Sequence, residues 1–362
     1  MPPGFFRMAE AGSQWHYGAR VTPAFWGIRM LNSLNNNKLH LFLMGLGTFC
    51  LAACSGESAD EAPTAPVPVR EPEPVFQRLP VAPSPTAAED LLARGEYLVE
   101  GIVGCGNCHN GRDENGELVP GMEFAGNFVI EEPIFTAYAP NISPDPETGI
   151  GEWTDEEIET AIRYGISRDG RQMGPPMAFY PPFYPNISSD DMDAIIAYLR
   201  SVPPVRNEVP ASELRMELPP SWGPPVEEPV LAPPRSDQVA YGEYLAQIGH
   251  CTQCHTPLVN GVEDFTRTGA GMNIYPRPFG YEWSALAANI TSHETLGIGT
   301  WTDDEIKRAI VYGISRDGRE LLPFMGFSFY ERISDEDLDA IVAYVRTLPP
   351  AEATPPVPEE GE

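Results

Sequence analysis

Two short stretches decide the fold of this chain: Cys105-Gly106-Asn107-Cys108-His109 and Cys251-Thr252-Gln253-Cys254-His255. Each has the pattern C-x-x-C-H, which is the attachment pattern of c-type haem. The two thiols can add to the two vinyl groups on one edge of the porphyrin, and the histidine that follows can place an imidazole nitrogen beneath the iron. We therefore predict two covalently attached haem c groups. The predicted attachment residues are Cys105, Cys108, Cys251 and Cys254, and the predicted axial ligands of the iron are His109 and His255.

Two other uses of a C-x-x-C pair fit these stretches less well. Half a zinc site would need a second pair close by, and the other pair lies far away in the sequence. A thioredoxin-like dithiol does not need the histidine and would lie in a βαβ pattern, which the sequence lacks. Covalent haem accounts for the histidine in both copies.

The composition indicates an acidic protein large enough for two domains. The chain has 362 residues, with 52 acidic and 23 basic side chains, which gives a net charge of −29. This charge argues against binding to nucleic acid and against direct adhesion to anionic lipid. It favours a basic redox partner that is attracted electrostatically, although solubility alone, or an organism with acidic proteins generally, would also account for it.

The remaining cysteines lie near an apolar run at the N-terminus. Of six cysteines, four belong to the C-x-x-C-H motifs, and Cys50 and Cys54 leave no pair that suggests a disulfide. Haem attachment of this kind takes place outside the cytoplasm, so we expect an exported protein. Lys38 is followed by an apolar run from Leu39 to Ala53, which is short for a transmembrane helix and typical of a signal peptide.

The end of this run, Leu51-Ala52-Ala53-Cys54, resembles the cleavage box of bacterial lipoproteins. The resemblance implies cleavage before Cys54 and a lipid on its sulfur, whereas an ordinary signal-peptide cut would release a soluble protein. The residue after it, Ser55, favours the outer membrane over the inner one. We thus expect a bacterial periplasmic protein that is anchored to a membrane by lipid. Residues 1–29 fit poorly ahead of a signal peptide, so translation is expected to begin at Met30.

Composition also divides the chain into segments. A stretch rich in Pro, Ala, Glu and Val follows the signal peptide and has too few large apolar residues to fold, so we predict a disordered tether. The predicted segments are residues 1–29 as untranslated or disordered, a signal peptide 30–53, a Pro-rich tether 54–87, a first domain 88–204, a Pro-rich linker 205–235, a second domain 236–350 and an acidic tail 351–362.

The two predicted domains are internal repeats. Gly95-Glu96-Tyr97-Leu98 precedes the first motif, and Gly242-Glu243-Tyr244-Leu245 precedes the second. The segment from Asn141 to Arg171 matches the segment from Asn289 to Arg319, so the two halves are expected to share one fold and one function.

Helix signals recur in both halves. Thr154-Asp-Glu-Glu157 and Thr302-Asp-Asp-Glu305 have the pattern of capping boxes, and each helix should end at a glycine, Gly165 or Gly313. The last helices are expected to begin near Ser188 and Ser334, where apolar residues follow at helical spacing. No convincing run of strands is present, so the sequence predicts mainly α domains with long loops.

Together these residues resemble class I cytochrome c domains, and they look most like the cytochrome c subunits that serve periplasmic dehydrogenases. The resemblance rests on C-x-x-C-H, Asn-Ile-(Ser/Thr), Gly-Ile-Gly-x-Trp-Thr and Ser-Arg-Asp-Gly-Arg, and it covers nearly all of residues 88–350. It implies that Tyr97 and Tyr244 lie on an N-terminal helix that crosses the final helix. The chain departs in haem number, since many such subunits carry three haem groups.

The resemblance also implies a methionine as the second axial ligand of each iron. Met177 and Met325 each lie seven residues after an equivalent glycine of the two repeats. Core packing is the ordinary role of a methionine, and Met173 competes in the first half, but its counterpart is Leu321. More loosely, the resemblance suggests as neighbours of the haem propionates Asn141, Trp153, Arg168, Asn289, Trp301 and Arg316.

These inferences favour a two-haem electron carrier. It would pass single electrons from a periplasmic dehydrogenase or a quinol-oxidising complex to another cytochrome or a terminal oxidase, and the sequence offers no catalytic acid, base or nucleophile. A di-haem enzyme of the peroxidase or thiosulfate dehydrogenase type is the alternative, but it would need a haem with an open or weakly bound position. A structural docking subunit is a third possibility.

Overall fold

The structure is a computed structural model that describes residues 81–178, 184–259 and 262–353. The predicted start at Met30, the signal peptide and the lipid-attachment residue Cys54 lie outside the described residues. Within the described ranges, no helix combines the length and the apolar character that crossing a bilayer requires.

The fold is mainly helical, as the sequence predicts. The α-helices are α1 (Leu91–Tyr97), α2 (Cys105–His109), α3 (Asp155–Tyr164), α4 (Ser189–Ser201), α5 (Gln238–Ile248), α6 (Cys251–His255), α7 (Asp303–Tyr312), α8 (Phe327–Tyr330) and α9 (Asp335–Thr347). A π-helical turn follows α1 at Leu98–Ile102, and 3₁₀ turns lie at Tyr184–Asn186, Phe265–Arg267 and Pro278–Gly280. The strands are β1 (Asn127–Glu132), β2 (Phe135–Ala139), β3 (Glu213–Leu214), β4 (Leu258–Val259), β5 (Val262–Glu263), β6 (Ile274–Tyr275) and β7 (Ala285–Leu286).

The predicted capping signals lie where the helices begin and end. Thr154 and Thr302 each accept a hydrogen bond from the backbone N–H three residues later, and the glutamate there accepts one from the threonine N–H. Both helices end at a left-handed glycine, Gly165 with φ 62° and Gly313 with φ 63°. Each capping box satisfies backbone groups that the helix itself leaves unpaired. Since the start and end signals are equivalent in the two halves, α3 and α7 have the same length.

The first helix of each half crosses the last helix of that half at a glycine. A β-carbon on Gly95 would overlap the carbonyl oxygen of Ala194 in α4, and one on Gly242 would overlap the carbonyl oxygen of Ala340 in α9. These two positions therefore tolerate no side chain. The crossing that the family resemblance implies for Tyr97 and Tyr244 is present in both halves.

A three-stranded antiparallel sheet in the first half differs from the expectation of no strands. Its order is β1-β2-β3, and the strand residues Val129, Ile130 and Phe135 are buried. The strands are short, a bulge interrupts β1, and β3 belongs to the Pro-rich segment. Short strands of this kind give little alternating pattern in a sequence.

The predicted linker packs against the first domain. Trp222 is buried, and its Nε1 donates a hydrogen bond of 2.8 Å to the carbonyl oxygen of Met173. Packing also begins before the predicted boundary at residue 88, since Ser84 is buried and its carbonyl oxygen accepts a hydrogen bond of 2.8 Å from Arg235.

The two halves share one hydrophobic core, and two reciprocal hydrogen bonds join them. Tyr97 of α1 donates to the carboxylate of Asp337 in α9 at 2.7 Å, and Tyr244 of α5 donates to that of Asp191 in α4 at 2.6 Å. Each phenol also accepts from the backbone N–H of Ser334 or Ser188, the N-cap of the other half's last helix. Burial, together with the adjacent carboxylate, raises the pKa of both tyrosines, so both remain protonated donors at neutral pH.

One of these carboxylates also has a buried cationic partner. Arg94 donates to both oxygens of Asp191, at 2.7 Å and 2.8 Å, and the arginine side chain is 3% exposed. Removing one member of a buried pair leaves the other charge uncompensated. We expect Arg94→Met to lower the free energy of unfolding by about 3 kcal/mol in denaturant titrations.

The matched control is Arg171→Met, because Arg171 pairs with Asp169 at 3.9 Å and both are more than half exposed. That change should alter the unfolding free energy by less than about 0.5 kcal/mol. Equal effects of the two substitutions would contradict the importance of the buried pair.

Candidate haem sites

The two C-x-x-C-H motifs form helices α2 and α6, which have the same geometry. Each begins after a residue with a left-handed backbone, Gly104 with φ 60° and His250 with φ 64°. Cysteines three residues apart on a helix lie on the same face. All four thiols are free of disulfides and partly buried.

Burial keeps these thiols protonated. It raises the pKa of Cys105 to about 12, of Cys108 to about 11 and of Cys251 to about 12, and it also raises the pKa of Cys254. Among the described residues, no three His, Cys, Asp or Glu side chains come together in a way that could hold a metal ion directly. Each motif helix carries two free thiols and one histidine, and this set fits a group that is attached through the thiols and bound by the imidazole.

Each motif histidine is held by a backbone carbonyl. Nδ1 of His109 lies 2.8 Å from the carbonyl oxygen of Pro140, and Nδ1 of His255 lies 2.6 Å from that of Ala288. A carbonyl oxygen can only accept, so Nδ1 carries the hydrogen and the lone pair is on Nε2. Burial lowers the pKa of both histidines, which favours the neutral form that ligation requires.

The carbonyls that hold these histidines belong to the repeated Asn-Ile-(Ser/Thr) turns. Asn141 directly follows Pro140, accepts a hydrogen bond from the N–H of Ser143 at 2.9 Å and donates one to the carbonyl oxygen of Val205 at 2.7 Å. The second half repeats the arrangement with Asn289, Thr291 and Ala351. Both asparagines thus fix the loop that orients the axial histidine, and their place beside the propionates stays a prediction.

Two glycines allow this loop to lie close to the motif helix. Gly126 and Gly271 donate their N–H groups to the carbonyl oxygens of His109 and His255, at 2.6 Å and 2.7 Å, and both have positive φ. A β-carbon on Gly271 would collide with the backbone of Ala288. A residue other than glycine would therefore displace the carbonyl that holds the histidine.

The predicted methionine ligands lie in equivalent loops and are partly buried. Met177 lines a small cavity together with Tyr184, Trp222 and Gln253. Met325 follows Phe324, whose ring contacts Tyr275 with centroids 4.9 Å apart. Met173 is the alternative ligand in the first half, and its carbonyl oxygen accepts the hydrogen bond from Trp222.

The remaining predicted propionate neighbours are Trp153, Trp301, Arg168 and Arg316. Trp153 is partly buried against the core that the two halves share, and Trp301 is partly buried against a cluster of the second half. The Arg168 guanidinium is half exposed and lies 3.4 Å from the carboxylate of Glu157, and Arg316 donates to the hydroxyl of Thr300 at 2.7 Å. Their role at the propionates stays a prediction.

A search against protein-family models gives two matches to cytochrome c, over residues 92–203 and 239–349. The chain belongs to the cytochrome c family. It is a protein of two tandem cytochrome c domains, and its motifs bind two haem c groups covalently. This confirms the fold class and the cofactors that the sequence predicts.

Curated relatives of this cytochrome include subunits of dehydrogenases. The cytochrome c subunit of an alcohol dehydrogenase (quinone) from Gluconobacter oxydans is 32% identical over 73% of this chain and 56% of that subunit. The gluconate 2-dehydrogenase cytochrome c subunit of Pantoea cypripedii is 29% identical over 72% of this chain and 60% of that protein. A diheme cytochrome c-type protein of Cereibacter sphaeroides is 28% identical over 72% of this chain and 86% of that protein.

The chain spans little more than half the length of the dehydrogenase subunits. The relatives indicate electron transfer as the role of this di-haem cytochrome.

Sequence reasoning missed several residues of these sites. The carbonyls of Pro140 and Ala288 could have been found, since each directly precedes the repeated asparagine. His250 has no counterpart in the first half, which suggests only a polar surface or packing residue. It is partly buried, its Nδ1 donates to Gln253, and its Nε2 accepts a hydrogen bond of 2.7 Å from Tyr184 of the other half. No local pattern indicates that contact.

Proposed function

We propose that this cytochrome is anchored to a membrane and transfers single electrons from a periplasmic dehydrogenase or quinol-oxidising complex to another cytochrome or a terminal oxidase. The names of the relatives support a dehydrogenase as the electron donor. The observation that carries the proposal is the duplicated motif helix, in which a carbonyl on Nδ1 leaves Nε2 of His109 and of His255 free to bind iron.

The chain's own residues would build each site from both sides of the ring. The predicted thioether attachments are Cys105, Cys108, Cys251 and Cys254, and the predicted axial ligands are His109 with Met177 and His255 with Met325. Haem supplies a one-electron redox centre, and a thioether ligand keeps its potential higher than a second imidazole would. With a histidine and a methionine both bound, the iron would have no position for a substrate, which would favour an electron carrier over the enzyme alternative.

Replacing the predicted methionine ligands tests this assignment. We expect Met177→His and Met325→His each to lower one of the two midpoint potentials by more than about 59 mV, a tenfold change in the one-electron equilibrium. Potentiometric titration of the two haem groups is the measurement. Met173→His should leave both potentials unchanged. If Met173→His lowers a potential and Met177→His does not, the ligand of the first half is assigned wrongly.

Membrane attachment would depend on Cys54. A lipid on its sulfur, followed by the Pro-rich tether, would hold the domains in the periplasm close to membrane-bound partners, with the outer membrane slightly favoured by Ser55. We expect Cys54→Ser to move at least about nine tenths of the haem protein from the membrane fraction to the soluble fraction, because the lipid is the proposed anchor. Cys50→Ser is the control, because Cys50 precedes the proposed cleavage point. Membrane retention of Cys54→Ser protein whose signal peptide has been removed would contradict the lipid anchor.

The net charge of −29 suggests how the cytochrome meets its partner. Attraction between an acidic and a basic protein is screened by salt, since the Debye length falls from about 10 Å at 0.1 M to about 3 Å at 1 M. With a basic redox partner, we expect the second-order rate of electron transfer to fall at least tenfold over that range. Stopped-flow kinetics would measure it, and a rate independent of salt would rule out a basic partner.

A further inference from the structure

The motif helix of the first half touches the methionine loop of the second half. Nδ2 of Asn107, the third residue of the first motif, donates a hydrogen bond of 3.4 Å to the carbonyl oxygen of Phe324, which directly precedes Met325. On the other side of Met325, a β-carbon on Gly326 would lie 3.5 Å from the side-chain amide of Asn107. Asn107 therefore bonds to the backbone just before the predicted ligand, and its amide lies beside Gly326 just after it.

The second motif also has its third residue near the methionine loop of the other half. Gln253, the third residue of the second motif, lines the same cavity as Met177 of the first half. Oε1 of Gln253 accepts a hydrogen bond of 2.9 Å from Nδ1 of His250, and Nε2 of His250 accepts one of 2.7 Å from Tyr184. Tyr184 begins the 3₁₀ turn that follows the Met177 loop. A chain of hydrogen bonds thus connects Gln253 of the second motif, through His250, to Tyr184 of the first half, which follows Met177 in the chain.

Apolar side chains of the second half also pack against the first motif helix. Phe329 of α8 lies against α2, since a β-carbon on Gly106 would come within 2.9 Å of its ring. Cys108 packs in a cluster with Phe324 and Tyr275 of the second half. The first motif helix is therefore packed against the second half, and packed side chains transmit a displacement of one element to its neighbour.

We propose that the third residue of each C-x-x-C-H motif positions the methionine loop of the opposite half, so that each iron site is built from both halves. The inference rests on the proposed assignment of Met177 and Met325 as ligands. A methionine side chain has three rotatable bonds and does not by itself fix the position of its sulfur. The position of the loop backbone therefore determines whether the sulfur can reach the iron. Covalent attachment makes the motif helix the more rigid member of each contact.

The test uses the full chain with both haem groups attached and adds free imidazole as a competitor for the methionine position. We expect Asn107→Ala to increase the affinity for imidazole at the second site at least threefold and to leave the first site unchanged. Gln253→Ala should increase the affinity for imidazole at the first site at least threefold and leave the second site unchanged. The two sites are assigned beforehand with Met177→His and Met325→His, each of which removes one methionine from the competition.

Matched controls are Asn115→Ala and Gln238→Ala, which remove the same side chains from exposed positions. Asn107→Asp is a second variant that keeps the side-chain shape and removes the donated hydrogen bond. An effect confined to the variant's own half, or no effect at either site with two haem groups bound, would overturn the proposal. If neither Met177→His nor Met325→His changes imidazole binding at a site, the assignment of the methionine ligands is wrong. That result differs from one in which the histidine variants act as expected and Asn107→Ala has no effect.

Discussion

We expect Gly242→Ala to destabilise the haem-loaded protein by about 4 kcal/mol or more, a large fraction of the 5–15 kcal/mol that holds a typical domain together. The added methyl group would overlap the carbonyl oxygen and carbon of Ala340, which are backbone atoms and cannot rotate away. Helices α5 and α9 would have to separate along their whole contact. Their separation would open the core beneath Leu245 and Ile341, both of which are buried.

The control is Gly101→Ala, another glycine in helical backbone. The nearest atom to a β-carbon there is the β-carbon of Arg332 at 3.9 Å, an ordinary van der Waals distance. This change should be neutral or stabilise the protein by up to about 1 kcal/mol, because alanine favours helix more than glycine does. Denaturant unfolding, followed by far-ultraviolet circular dichroism, would compare the two. Similar midpoints would show that the helices do not cross at Gly242.

The second large effect is on haem content. We expect the double substitution Cys251→Ala and Cys254→Ala to reduce covalently bound haem from two groups to one per chain, because the other motif lies on its own helix with its own histidine. A haem group held only by axial ligands is lost when the protein is denatured. Mass spectrometry of the denatured chain would therefore count the thioether-bound groups directly.

The reciprocal pair, Cys105→Ala and Cys108→Ala, is the matched control and should also leave one group. Cys50→Ser should leave two, since Cys50 is not in either motif. Retention of two groups after either double substitution would mean that another residue attaches haem. Loss of both groups after one double substitution would mean that one half cannot be loaded unless the other is.

Much of the helical framework follows from local sequence. The threonines at 154 and 302, the glutamates three residues later and the terminal glycines each act within one or two turns of chain, so their pattern predicts α3 and α7 correctly. The start of α4 after Ser188 and of α9 after Ser334 follows in the same way. The sheet escapes prediction because β3 owes its strand conformation to pairing with Phe135 and Thr136, which lie far away in sequence.

The same division applies to the sites. The motif itself identifies its cysteines and histidines, since the chemistry requires them within five residues. The Nδ1 acceptors, Pro140 and Ala288, are contributed through backbone atoms, and a carbonyl carries no side-chain signature. The contacts of Asn107 with Phe324 and of Tyr184 with His250 depend on how the two halves pack, which no single repeat reveals.

The exchanged bonds of Tyr97 with Asp337 and of Tyr244 with Asp191 have a consequence for how this duplicated gene can evolve. Each copy supplies a donor to the other copy and depends on it for an acceptor. A change in one copy therefore alters the surroundings of the other, and the two must acquire compensating changes together. At these four positions, neither half can change without affecting the other.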